Sequence, residues 1–161
     1  RGKGGKSHLV KVTDRRLVRI VKRCQDLPGQ ELFQYVDEDG QPKAIESDDV
    51  NQYLREIAGD DFTAKDFRTW SGTILAARFF RECQPHEETA ESRKAVVRTI
   101  AQVAEQLGNT SAVCKKCYIH PAVIAAYLAG SLKPLEEREE QDPYRLTAEE
   151  RGLLRILSSA A

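Results

Sequence analysis

The sequence contains no methionine, a single tryptophan and no surplus of charge of either sign, its 25 Lys and Arg balancing 25 Asp and Glu over 161 residues. Each shortage narrows the reading. Methionine is missing even from position 1, and the chain opens on Arg1-Gly2-Lys3-Gly4-Gly5-Lys6, so the segment is expected to be the C-terminal part of a longer polypeptide. No run approaches the roughly 18 continuous apolar residues of a membrane span, and no membrane partner is expected. Four cysteines, Cys24, Cys83, Cys114 and Cys117, with no apolar signal segment at the start, fit reduced thiols in a cytoplasm better than a disulfide framework. Zero net charge, taken as a total, gives no hint of a nucleic-acid partner.

What is present is unevenly spread. The first 23 residues carry nine bases, Arg1, Lys3, Lys6, Lys11, Arg15, Arg16, Arg19, Lys22 and Arg23, against the single acid Asp14, a local charge of plus eight. An acidic stretch from 136 to 150 restores the balance, so a neutral total conceals a basic face. A chain of this length also buries a core of its own without covalent staples.

The patterning predicts a mainly α domain with a small antiparallel hairpin or sheet near its N-terminus. Ser7 to Thr13 alternates apolar and polar residues as a half-buried strand does, and Gly4-Gly5 suits the turn before it. Leu17, Val18, Ile20 and Val21 recur at helical spacing among Arg and Lys up to Cys24, giving a basic amphipathic helix stopped by Leu27-Pro28-Gly29. Leu32 to Val36 and Pro42 to Ile45 flank Asp39-Gly40 as a short hairpin. Further helices are expected from a Ser47-Asp48-Asp49 cap to Gly59, from Phe67 to about Glu82, from Glu87 to Leu107, from Pro121 to Gly130, and after a cap at Thr147. Asn109-Thr110-Ser111 caps a short turn, and Glu136 to Asp142 reads as a solvated linker. The organisation is thus a hairpin over 1–13, a helical core over 14–130, and a linker with a last helix over 131–161. Trp70, Tyr35, Tyr53 and Tyr127 are expected to pack.

Two local patterns invite chemistry and fail on spacing. Cys114-x-x-Cys117 has no second ligand pair to complete a tetrahedral zinc site, and its flanks, Lys115, Lys116 and Tyr118, are not those of a redox pair following a strand. Gly2-Lys3-Gly4-Gly5-Lys6 lacks the spacing of a phosphate loop and precedes a strand pattern instead of a helix. A hairpin tip with two lysines is nevertheless suited to phosphates. No cofactor and no metal are expected.

Two other segments carry more: Lys65-Asp66-Phe67-Arg68-Thr69-Trp70-Ser71-Gly72-Thr73 and Gln106-Leu107-Gly108-Asn109-Thr110 running on to Lys115-Lys116-Cys117-Tyr118. In residue type, order and separation they resemble the motifs of type IB DNA topoisomerases, in particular the small poxvirus-like enzymes of bacteria. The resemblance runs from the Arg1-Gly2-Lys3 hairpin to Ala129. It implies the fold that these catalytic domains share with tyrosine recombinases, a missing N-terminal half of a clamp around duplex DNA, a monomer, and work at the bacterial nucleoid. Tyr118 then looks like the nucleophile that forms a 3'-phosphotyrosyl link, Arg68 like a phosphate-clamping arginine, and Lys3 like the general acid for the leaving 5'-oxygen, with Lys6 its rival. Asn109 occupies a slot that is His in viral and eukaryotic members. Arg1, Lys6, Lys65, Lys115 and Lys116 are candidate DNA-backbone contacts. A second catalytic arginine of the family lies upstream of position 1.

The residue types suit that chemistry. A phenol of pKa about 10 is ionised to only about one part in a thousand at pH 7, a deficit of about 4 kcal/mol that nearby cations offset. Donors aimed at the oxygens that gain charge in the transition state are worth about 3 to 4 kcal/mol each. Arginine holds two phosphate oxygens and keeps its charge, whereas asparagine donates without titrating. Two other readings stay open at this point: a recombinase using the same cleavage chemistry, and a noncatalytic DNA-binding helical domain.

Overall fold

The computed structural model describes residues 9, 11–59, 61–83, 89–133, 135 and 145–159. The chain divides into two compact units, Arg1–Ala64 and Lys65–Ala161.

In the first unit, α1 (Arg15–Gln25) begins where the Asp14 carboxylate accepts from the main-chain N–H groups of Arg16 and Leu17 at 2.8 and 2.9 Å. That cap satisfies donors which the first helical turn leaves without partners. Strands β1 (Gln34–Val36) and β2 (Pro42–Ala44) pair antiparallel, with Tyr35 opposite Lys43. The turn between them is held by Asp37, whose side chain accepts from the N–H groups of Asp39 and Gln41. These bonds and the Lys43 ammonium at 3.0 Å hold the Asp37 carboxyl below its ordinary pKa, the Gln41 bond contributing most. Helix α2 (Ser47–Ala58) starts one residue earlier than the Ser47 cap implied: Glu46 is the cap and shares a capping box with Asp49.

Two expectations fail in this unit. Leu9 and residues 11–13 are not in a strand. The rest of the 1–13 hairpin lies outside the described residues. Tyr35 and Tyr53 are not packed; Tyr53 is 60% exposed and the described residues of this unit bury only Gln34. The apolar faces of α1 and α2 exist, as their periodicity required, but leave Leu17, Ile20, Tyr53 and Ile57 exposed.

The second unit is a helical bundle of α3 (Ala64–Glu82), α4 (Ala90–Gln106), α5 (Ser111–Cys117), α6 (Pro121–Leu128) and α7 (Ala148–Ser158). Its core is contributed by every helix: Ala76, Ala77 and Phe80 from α3, Ile100 and Val103 from α4, Cys114 from α5, Val123 and Tyr127 from α6, Leu153 from α7. Phe80 and Tyr127 stack with ring centroids 4.5 Å apart. Helix α4 starts at a Thr89 cap instead of Glu87, which lies outside the described residues. The turn expected after Thr110 is a seven-residue helix, α5.

Helix α7 is tied to α3 by the two carboxylates of its own first turn. Glu149 takes both arms of the Arg78 guanidinium at 2.6 Å, and Glu150 accepts from the Trp70 indole N–H at 3.1 Å. Trp70 is accordingly half-buried with its polar edge satisfied, as buried indoles require. Both carboxyls sit below their ordinary pKa: Glu149 chiefly through Arg78, Glu150 chiefly through the Thr147 N–H that it caps. The linker expected at 136–142 lies outside the described residues, and among those described no helix is long and apolar enough to cross a membrane.

Candidate active site

The site lies where the C-terminal ends of α4 and α5 meet one face of α3. Helix α4 ends in a left-handed glycine, Gly108, at φ 66°. The Gly108 N–H bonds to Glu105 O at 3.1 Å and the Asn109 N–H to Ala104 O at 2.8 Å, the paired closure of a Schellman motif. This closure leaves the carbonyl of the capping residue, Leu107, to other donors. Two side chains reach it: Arg68 Nη2 at 3.1 Å and Asn109 Nδ2 at 2.9 Å.

Helix α5 opens on Thr110, whose hydroxyl accepts from the Val113 N–H, and closes on Tyr118, whose N–H bonds to Cys114 O at 2.9 Å. Tyr118 is therefore held at a helix end, half-buried. The Arg68 guanidinium carbon stands over its ring, 5.0 Å from the centroid, a distance at which a cation is attracted by the aromatic face. Arg68, Asn109 and Tyr118, separated by as many as 50 positions in the chain, thus come together through Arg68, which shares the Leu107 carbonyl with Asn109 and lies over the Tyr118 ring.

The Tyr118 main chain is docked onto α3 by residues of the quoted segment to which the sequence assigned no role. Thr69 Oγ1 lies between two acceptors, Lys65 O at 3.0 Å and Cys117 O at 3.1 Å, and Thr73 Oγ1 donates to Thr69 O at 2.6 Å while lying 3.4 Å from Tyr118 O. The same Thr73 oxygen accepts from the His120 N–H at 3.1 Å. Thr69 and Thr73 stand one turn apart on α3, and Thr69 directly follows Arg68, so one helix carries both the arginine and the dock for the tyrosine. Two hydroxyl residues at helical spacing beside a motif arginine were the available signal. His120 caps α6, its Nδ1 accepting from the Ala122 N–H at 3.2 Å.

The other candidates are distributed differently. Lys65 lies in the first turn of α3, one turn before Arg68, and Lys115 and Lys116 occupy the last turn of α5; all three are exposed. Arg1, Lys3 and Lys6 lie outside the described residues. Cys114 is fully buried and its thiol is pushed up in pKa by that burial, the behaviour of a packing residue, while Cys117 is half-buried. Among the described residues no group of three or more His, Cys, Asp or Glu could hold a metal ion.

An arginine and a neutral amide donor converging beside a tyrosine at a helix end is an arrangement that can bind an oxyanion next to a phenol. Residues 3–142 match the family described as the eukaryotic DNA topoisomerase I catalytic core, and the chain belongs to that family. It is also similar to the DNA topoisomerase 1B of Acanthamoeba polyphaga mimivirus, with 33% identity over 147 residues covering 86% of this chain. The match takes in 41% of the viral protein's length.

Proposed function

We propose that the protein is a type IB DNA topoisomerase of the poxvirus-like bacterial kind, and that this chain supplies its catalytic domain with the fold shared by tyrosine recombinases. The observation that carries the reading is that Arg68 shares the Leu107 carbonyl with Asn109 and lies over the Tyr118 ring, within a chain of this family. Duplex DNA is the substrate, the enzyme acts as a monomer, and its place is the bacterial cytoplasm.

The chemistry is a transesterification. Tyr118 Oη gives up its proton to water and attacks a backbone phosphorus, the bond from that phosphorus to the 5'-oxygen breaks, and the strand is left with a 3'-phosphotyrosyl link and a free 5'-hydroxyl. Arg68 exchanges the Leu107 carbonyl for nonbridging phosphate oxygens, where its planar fork suits two acceptors at once. Asn109 adds a neutral donor to the same oxygens. Lys3 delivers the proton to the departing 5'-oxygen. Because the phosphotyrosyl bond conserves the energy of the cleaved link, religation is the reverse reaction and needs no nucleotide. Lys65, Lys115 and Lys116, being exposed on the helices that hold Arg68 and precede Tyr118, are suited to flanking phosphates.

The test is relaxation of a supercoiled plasmid by the full-length protein in EDTA without ATP. The wild type relaxes it and leaves a covalent protein–DNA adduct on denaturation, whereas Tyr118→Phe gives neither. Equal relaxation by both, or an absolute need for a metal ion, overturns the proposal.

A further inference from the structure

Helix α3 is 19 residues long, and near its middle stands a glycine, Gly72. Glycine within a helix costs about 1 kcal/mol relative to alanine. Gly72 is helical and buried, so backbone freedom does not account for it. What faces it does. A Cβ placed on Gly72 would overlap the carbonyl oxygen of Tyr118 and would lie 3.3 Å from that residue's carbonyl carbon and 3.1 Å from Leu107 Cδ1. The leucine methyl can rotate away. The Tyr118 carbonyl cannot, because it belongs to the main chain and is already directed at Thr73 Oγ1.

Gly72 therefore marks the closest approach between α3 and the tyrosine. On one side it is one helical turn after Arg68, and on the other it adjoins Thr73. Its two nearest neighbours are the residue whose carbonyl holds Arg68 and Asn109 and the residue that bears the phenol. We infer that Gly72 is a positioning residue for the Tyr118 nucleophile: its missing side chain sets how close the tyrosine main chain sits to the helix carrying Arg68. This rests on the nucleophile assignment of the preceding section and extends it to a residue that touches no reacting atom.

The substitution Gly72→Ala forces either α3 or the Tyr118 main chain to move. Misplacement of a reacting group by about 1 Å costs about 100-fold in rate, while Gly72, being buried, offers no surface for DNA to contact. The experiment compares wild type and Gly72→Ala, both full length, in single-turnover cleavage of a 5'-labelled duplex whose short leaving strand dissociates, with the adduct read on a denaturing gel. Noncovalent affinity for the same duplex is read by fluorescence anisotropy in the Tyr118→Phe background. The expected result is a cleavage rate lower by about 10- to 100-fold with affinity changed by less than about twofold. A wild-type rate, or a loss of affinity as large as the loss of rate, overturns the inference.

If Gly72→Ala fails to unfold cooperatively, Thr73→Val and Thr73→Ser carry the test. Valine keeps the shape but removes the hydroxyl that accepts from the His120 N–H and lies 3.4 Å from Tyr118 O, so the rate should fall at unchanged affinity and serine should restore it. A wild-type rate for Thr73→Val overturns the inference. Absence of an adduct from the wild type itself removes the nucleophile assignment, a failure distinct from the others because it appears before any variant of α3 is made.

Discussion

The two units of this chain are built from similar amphipathic helices and differ in what those helices bury. In Lys65–Ala161 every helix contributes to one core, from Phe80 on α3 to Leu153 on α7, and the candidate active site sits on that packed frame. In Arg1–Ala64 neither α1 nor α2 buries a single residue, and five bases, Arg15, Arg16, Arg19, Lys22 and Arg23, line α1. One unit has the rigidity that positioning chemistry requires; the other presents charge and local hydrogen bonds. An apolar stripe on a helix is an opportunity for burial, and only the surroundings decide whether it is taken.

The largest expected effect tests that contrast directly. Phe80→Ala removes a ring that is 1% exposed and stacked on Tyr127, and should cost about 3 to 5 kcal/mol in chemical denaturation. Ile57→Ala, at 61% exposure, should change stability by less than about 0.5 kcal/mol. Similar losses at both positions would show that the first unit depends on its apolar face as the second does.

A second experiment separates the units by function. Arg68→Ala should slow single-turnover cleavage by about 100- to 1000-fold, the loss typical of one oxyanion donor, with a much smaller effect on DNA affinity. Joint replacement of Arg15, Arg16 and Arg19 by Gln should do the reverse, leaving the rate of bound enzyme unchanged while flattening the salt dependence of binding, by about 0.9 in log–log slope for each phosphate no longer neutralised by an arginine. If the triple variant instead slows the chemical step at saturating DNA, the first unit is part of the catalytic frame.

The smallest effect is a pH dependence of the second unit. Glu149 and Glu150 have pKa values lowered by folding, from an ordinary value of 4.5. Their contribution to stability is complete above that value and is lost as the pH falls through the folded-state values. Denaturation midpoints should therefore decline on acidification below about pH 4.5, and a Glu149→Gln, Glu150→Gln variant, less stable at neutral pH, should decline less steeply. An identical acid slope in the variant would assign the sensitivity to other carboxylates.

Helix ends were the most legible part of the fold. Gly59, Gly108 and Gly130 each follow a helix, Pro121 opens one and Thr147 caps one, as their chemistry led one to expect. Burial was less so: the spacing that placed Tyr127 in the core is the spacing that left Tyr53 exposed, because periodicity identifies a face and not what covers it. At the site, Arg68, Asn109 and Tyr118 were legible through family motifs. The Leu107 carbonyl was not, since a main-chain acceptor carries no residue-type signature, and the seat formed by Thr69, Gly72 and Thr73 depends on a juxtaposition 45 or more positions away in sequence.

The carbonyl that α4 leaves over at its end has a kinetic meaning. Arg68, though exposed, rests against an uncharged acceptor and an aromatic face. On the proposed role, phosphate binding replaces one partner with another, and much of the ordering of a long side chain is completed beforehand. A neutral acceptor is also weaker than an anionic one, so on that role the arginine is held loosely enough to be released to a phosphate group and firmly enough to stay beside the tyrosine.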